Sequence, residues 1–127
     1  MPTPSERDPL TRDVIGLAIE VHRELGPGLL ESAYEECLCF ELRQAGIGYS
    51  RQQPLAIIYK GVRLDCGYRL DVVVQKELIV EIKSVEQLLP IHNAQLLTYL
   101  RLSGCKTGLL LNFNSVILKD GIRRLVL

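Results

Sequence analysis

No stretch of this 127-residue chain is long and apolar enough to span a bilayer as a helix. Its longest run without a charged residue, Gln87–Leu100, is fourteen residues and contains Pro90, His92, Asn93 and Gln95; a membrane helix needs about twenty apolar residues. The opening residues, Met1 to Asp8, hold no apolar core. No secretory signal is therefore expected, and the expected compartment is the cytoplasm. The four cysteines (Cys37, Cys39, Cys66, Cys105) include no C-x-x-C pair, and His22 and His92 are too far apart to form an H-x-x-x-H pair. This spacing excludes a zinc site or a disulfide framework and leaves buried, reduced thiols as the expectation. Internal repeats and low-complexity tracts are also missing.

Net charge is absent as well, yet the charge is unevenly spread. Residues 1–41 hold nine acidic and three basic side chains, a balance of −6, whereas residues 42–127 hold six acidic and twelve basic ones, a balance of +6. A polyanion would have to meet the second part of the chain. Hydrophobic residues make up 47% and charged residues 24%, an ordinary globular balance. A chain of this length buries roughly two thirds of its unfolded surface, enough for one domain with a real core. Residues 1–10 read as a loose lead-in and 11–127 as that domain.

Periodicity divides the chain in two. Val14, Ile15, Ala18, Val21, His22 and Leu25 recur at helical spacing, which predicts a first helix from about Thr11 to the stop at Gly26. Leu30, Ala33, Tyr34, Cys37, Leu38, Leu42 and Ala45 predict a second, from Leu29 to Ala45. The period then changes to two. Gln53–Tyr59 and Val62–Tyr68 read as strands joined at Lys60-Gly61, a two-residue hairpin turn. Leu70–Val74 either continues the second strand or follows a kink at Gly67. Leu78–Lys83 is a further strand, Pro90 opens a third helix to about Ser103, and Thr107–Asn112 is a buried strand. The last two strands and the helix between them form a β-α-β unit, so they should run parallel. Val116–Leu118 and Ile122–Val126 read as a terminal edge hairpin. The fold class is α/β or α+β, a mixed sheet flanked by helices.

The chemistry concentrates in Asp71-Val72-Val73-Val74 and Ile79-Val80-Glu81-Ile82-Lys83. If Gln75-Lys76-Glu77 is a three-residue turn, Val74 pairs with Leu78, and counting outward sets Asp71 opposite Glu81. Directly opposed residues have Cβ atoms about 4.5–5.5 Å apart, where like charges destabilise the pair. A shared divalent cation converts that repulsion into binding, and oxygen ligands select Mg²⁺ or Mn²⁺. Lys83 lies two residues beyond Glu81, on the same face, where its ammonium could polarise water or neutralise a developing phosphorane. Spacing alone fits a solvent-facing sheet with surface ion pairs equally well. Gln95 and Tyr99, at i and i+4, share one face of the third helix, and Glu31 stands in the first turn of the second.

Asp71 followed by Glu81-Ile82-Lys83 resembles the D…E-x-K signature of the PD-(D/E)XK nuclease superfamily. Gln95-Leu96-Leu97-Thr98-Tyr99 resembles the Q-x-x-x-Y helix motif of recombination exonucleases in that superfamily. Gly28-Leu29-Leu30-Glu31-Ser32-Ala33-Tyr34 is similar to the motif of its small G-x-x-E-x-x-Y family. The likeness runs from about Val14 to Arg124. It implies a restriction-endonuclease-like αβββαβ core in which Asp71, Glu81 and the Ile82 carbonyl hold Mg²⁺ and Glu31 approaches the metal. It also implies that Lys83 assists the attacking water and that Gln95 and Tyr99 orient site residues or DNA phosphate, with Tyr34 a further supporting residue. The chain departs from the pattern at one point: Arg69-Leu70, with no proline, precedes Asp71.

Two functions follow from this reading. One is metal-dependent hydrolysis of DNA phosphodiester bonds. The other is a catalytically silent nuclease fold that binds nucleic acid or a protein. So small a chain offers little surface to a duplex, so a homodimer or larger complex is expected, with Ile122–Val126 as a pairing edge.

Overall fold

The computed structural model describes residues 8–127. The lead-in expected over residues 1–10 falls mostly outside these, and its last two residues are already helical. Helix α1 spans Pro9–Leu25, starting two residues before the expected Thr11. Asp8 sets this start: its carboxylate accepts a hydrogen bond from the Thr11 N–H at 3.2 Å, and Pro9 needs no partner at the first helical position. Helix α2 spans Glu31–Gln44. Between them, Gly26 and Gly28 take φ of 69° and 100°, left-handed values that a side chain would strain. The buried Tyr34 hydroxyl locks this turn, donating to the Gly26 carbonyl at 2.6 Å and accepting from the Leu29 N–H at 3.0 Å. The Tyr34 ring stacks on Phe113, centroids 4.5 Å apart.

Five strands follow in a single sheet of order β1-β2-β3-β4-β5. They are β1 Tyr49–Tyr59, β2 Val62–Val74, β3 Leu78–Lys83, β4 Thr107–Asn112 and β5 Ile122–Val126. Helix α3, Pro90–Ser103, joins β3 to β4, which run parallel; the other neighbours are antiparallel. Its start is capped by His92, whose Nδ1 accepts from the Leu89 N–H at 2.9 Å. The mixed sheet with three helices is the α+β architecture expected. Lys60 and Gly61, both at positive φ, close the β1–β2 hairpin with Tyr59 opposite Val62. Of the two readings of Leu70–Val74, continuity holds: β2 is one strand, bulged where Leu55 faces Tyr68 and Ile57 faces Leu64.

Central strand β3 is covered on both faces. Val72, Val74, Val80, Ile82, Leu109 and Leu111 pack under α1 and α2, while Leu70, Val73, Ile79 and Leu110 pack under α3. Helix α3 lies so close that a Cβ on Gly108 would meet Leu96 at 2.9 Å. Beyond Leu55, the β1–β2 hairpin extends from this body as an exposed arm.

Two expectations need correction. Val116–Leu118 is not a strand: Leu118–Gly121 forms a 3₁₀ turn that buries Leu118, and β5 pairs with β4 instead, from Leu111 opposite Ile122 to Thr107 opposite Val126. Pairing with β4 covers an edge that would otherwise sit open beside the core; β5 is itself the new edge. The cysteines also divide. Cys39 and Cys105 are buried and Cys37 half-buried, but Cys66 is exposed on the arm, where no core reaches it. Among the described residues, no helix is long and apolar enough to cross a membrane.

Removing the Tyr34 hydroxyl strands a carbonyl and an N–H in the α1–α2 turn. Tyr34→Phe is therefore expected to lower stability by about 1–3 kcal/mol, read as a lower urea midpoint with an unchanged slope.

Candidate active site

The site forms where β2 and β3 part. Their ladder pairs Val74 with Leu78, Val73 with Ile79 and Val72 with Val80, the register set by a three-residue turn at Gln75-Lys76-Glu77. Val72–Val80 is the last pair. One step further, side chains replace the ladder: the Asp71 N–H donates to Glu81 Oε2 at 2.9 Å, and the Ile82 N–H donates to Asp71 Oδ2 at 2.8 Å. Each carboxylate thus reaches across to the other strand's backbone. A strand residue's carbonyl points to the same side as its N–H, so the Ile82 carbonyl also faces β2.

An irregularity in β1 and β2 accompanies this exchange. With strict alternation, Leu70 would share a face with Val72 and Val74; instead it packs under α3 while they pack under α1 and α2. The alternation breaks at Asp71. Opposite it, between the pairs Arg51–Val72 and Gln53–Leu70, Gln52 adopts φ of 53°. A left-handed non-glycine residue inside a strand is strained, and such strain persists only where neighbours hold it. Here the Gln52 amide donates to Glu35 Oε1 at 2.7 Å and, more weakly, to Asp71 Oδ1 at 3.4 Å. Arg51 clamps the same region, bonding Glu35 and Glu36 at 2.6 Å each.

Burial dominates the electrostatics. Glu81 is only 4% exposed, and burial first, then the neighbouring Asp71 charge, pushes its carboxyl up to about 8. Asp71 is also raised, chiefly by burial and further by the charge of Glu31; the Ile82 N–H, Lys83 and Gln52 act against that rise. Lys83 likewise lowers Glu81, so its ammonium stands near both acids, although it forms no ion pair among the described residues. Tyr99 is buried, and its hydroxyl is raised by burial, then by the charges of Glu81, Tyr68 and Asp71.

The expected residues therefore divide by location. Asp71, Glu81 and the Ile82 backbone meet directly, and Lys83, Glu31 and Tyr99 stand around them. Gln95 is exposed on α3, in a groove with Tyr99 rather than against the acids. Tyr34 is fully buried in the α1–α2 turn and positions the start of α2, hence Glu31. Among the described residues, no three acidic, histidine or cysteine side chains stand close enough to form a ready-made metal cage. Glu35, Arg51 and Gln52 were not anticipated. One signal pointed to Glu35: it follows Glu31 by four residues on one helix face, where like charges repel unless a cation answers them.

A sequence model of the PD-(D/E)XK nuclease superfamily matches residues 8–125, and the chain belongs to that superfamily. No curated protein and no solved structure matches the chain.

The raised Glu81 carboxyl makes stability depend on pH. An unfolded glutamate has an ordinary value near 4.5, so between that pH and about 8 the folded state binds more protons than the unfolded chain. Stability contributed by the protonated form is full below that window and falls as pH rises through it. Urea melts of the metal-free protein should weaken from pH 4.5 towards 8, and Glu81→Gln, neutral throughout, should flatten the profile. An equally sloped profile in that variant would assign the effect elsewhere.

Proposed function

We propose that this protein is a divalent-cation-dependent nuclease hydrolysing DNA phosphodiester bonds, with Asp71, Glu81 and the Ile82 carbonyl as ligands and Mg²⁺ or Mn²⁺ as the ion. The pairing of the buried Glu81 carboxylate with the half-buried one of Asp71, each fixed by a backbone N–H from the opposing strand, carries the proposal. The donor set fits a hard cation: it is all oxygen, doubly acidic and held in place beforehand. The proton that burial would otherwise keep on Glu81 is one a cation displaces. When bound, such an ion neutralises charge on the phosphate and activates water.

The chain's own side chains account for the rest. Lys83 supplies an ammonium that hydrogen-bonds the attacking water or an anionic phosphate oxygen, a role worth roughly 10²–10³ in rate when lost. Glu31 adds negative charge that Asp71 feels and so favours cation binding. Gln52 steadies Asp71 against Glu35, and Tyr99 gives the acids a protonated hydroxyl neighbour at neutral pH. The Gly28, Glu31 and Tyr34 spacing supports a place in the G-x-x-E-x-x-Y branch of the superfamily. The four free thiols suit a cytoplasmic protein, and β5, the last strand of the sheet and exposed at Val126, would give a homodimer its pairing edge.

One observation favours the silent alternative. Both carboxylates already serve the backbone, a role they could keep in a nucleic-acid or protein-binding module without turnover. Cleavage assays separate the two readings. With Mg²⁺ or Mn²⁺ the purified protein is expected to cut DNA, and Lys83→Ala to cut about 10²–10³-fold more slowly while titration calorimetry still registers Mn²⁺ uptake. Asp71→Asn should lose both. Uptake with no cleavage of any DNA form supports the silent module, and equal cleavage by wild type and Lys83→Ala rejects the assignment.

A further inference from the structure

Beside the acid pair, the exposed arm and α3 enclose a groove of about 320 Å³, at the lower end of clefts that take small ligands, roughly 300–1,000 Å³. Tyr68 and Ile57 form its arm wall, and Ile91, Gln95, Tyr99 and Leu102 its helix wall. Tyr68 is 45% exposed, and its ring meets Tyr99 edge-on, centroids 6.3 Å apart at 62°. Tyr99 is 7% exposed, and its hydroxyl feels the charges of Glu81 and Asp71. The aromatic pair therefore leads from solvent to the acids.

Charge distinguishes this groove from the apolar cleft between α1 and α2, where Glu24, Glu36 and Glu41 outnumber the single Arg43 and would repel a phosphate chain. No acid lines the groove beside α3. Its rim carries Thr98, which accepts a hydrogen bond from Arg101 at 3.1 Å. Arg101 forms no ion pair among the described residues. An apolar slot with an exposed aromatic wall, an amide and a hydroxyl at its mouth and an unpaired arginine beside it matches a flat heteroaromatic ring attached to an anionic backbone.

We propose that this groove takes one unpaired nucleobase of the substrate strand, stacked on Tyr68 with its polar edge towards Gln95 and Thr98. The inference rests on the nuclease reading and narrows it. A base inside a duplex is stacked and paired, so it cannot enter the slot, and the preferred substrate is a single strand or a frayed end. Stacking supplies most of the affinity because every base has a π-face; the Gln95 amide, both donor and acceptor, adds a preference among bases.

Fluorescence anisotropy in EDTA tests this on the full chain, with labelled oligothymidylate, the same strand made abasic, and a blunt duplex of equal length. Wild type is expected to bind the oligothymidylate more tightly than the abasic strand. Tyr68→Ala should weaken oligothymidylate binding roughly 5- to 150-fold and leave the duplex unchanged, and Tyr68→Trp should restore it. Equal loss on single strand and duplex, or indifference of wild type to the missing bases, overturns the proposal. So does a wild-type scattering mass of two chains that falls to one in Tyr68→Ala with no base dependence, because the occupant is then a second copy. The two readings fail separately. Metal-dependent cleavage lost in Lys83→Ala, without base-dependent binding, keeps the nuclease and removes the base site. Tyr68-dependent base binding with no cleavage does the reverse.

Discussion

Where β2 and β3 diverge, two carboxylates take over the hydrogen bonds that a ladder would have made, and much of the molecule serves that exchange. An antiparallel pair carried one step further would join Asp71 and Glu81 through backbone groups alone and leave their side chains to repel each other. Instead, each acid accepts an N–H from the opposite strand, so both carboxyl groups sit at fixed positions where the buried β3 ladder with β2 ends. The cost is desolvation, visible in the raised carboxyls of both groups. The apolar layers on either side of β3 keep water away and make that cost high. They are also what would make a cation there effective, since charges interact more strongly where solvent is excluded.

The side chains that stand behind the pair come from two elements. From α2 comes a row of acids, Glu31 and Glu35, whose mutual repulsion is answered at Glu35 by Arg51 and Gln52. From β1 comes a strained residue, Gln52, at the point where the alternation of both strands changes face. That change lets the hairpin pack Leu55 and Leu70 under α3, although Tyr49, Val72 and Val74 pack under the other helices. It also carries Tyr68 to the side where Tyr99 and the acids are. Strain at Gln52, the exposed arm and the groove beside α3 are thus consequences of one backbone irregularity.

Much of this was legible from residue order. A turn at Gln75-Lys76-Glu77 has one sensible register, and that register brings Asp71 and Glu81 side by side because strand spacing is regular. The helices, the Lys60-Gly61 turn and the parallel β3–β4 pair follow from periodicity and from glycine and proline positions. The terminal hairpin was misread for a physical reason. Val116, Ile117 and Leu118 look like a strand, but only Leu118 has a core to enter, and β4 offers Ile122–Val126 a longer partner. Cys66 was misplaced likewise, since burial depends on how far an arm extends from the body and local composition carries no record of that.

Residue order by itself determined the three helices, the strands up to β4, the pairing of the two acids and the lysine beside them, because each depends on contacts between near neighbours along a helix, turn or strand. Tertiary structure alone decided that Glu35 and Gln52 stand behind Asp71, that Tyr34 braces the turn before Glu31, and that Tyr68 faces Tyr99 across a groove. The Tyr34 brace is local but depends on the fold of the α1–α2 turn, whereas the other contacts join separate elements through a break in strand alternation. A positive φ at a glutamine is dictated by the packing around it, which no local pattern encodes.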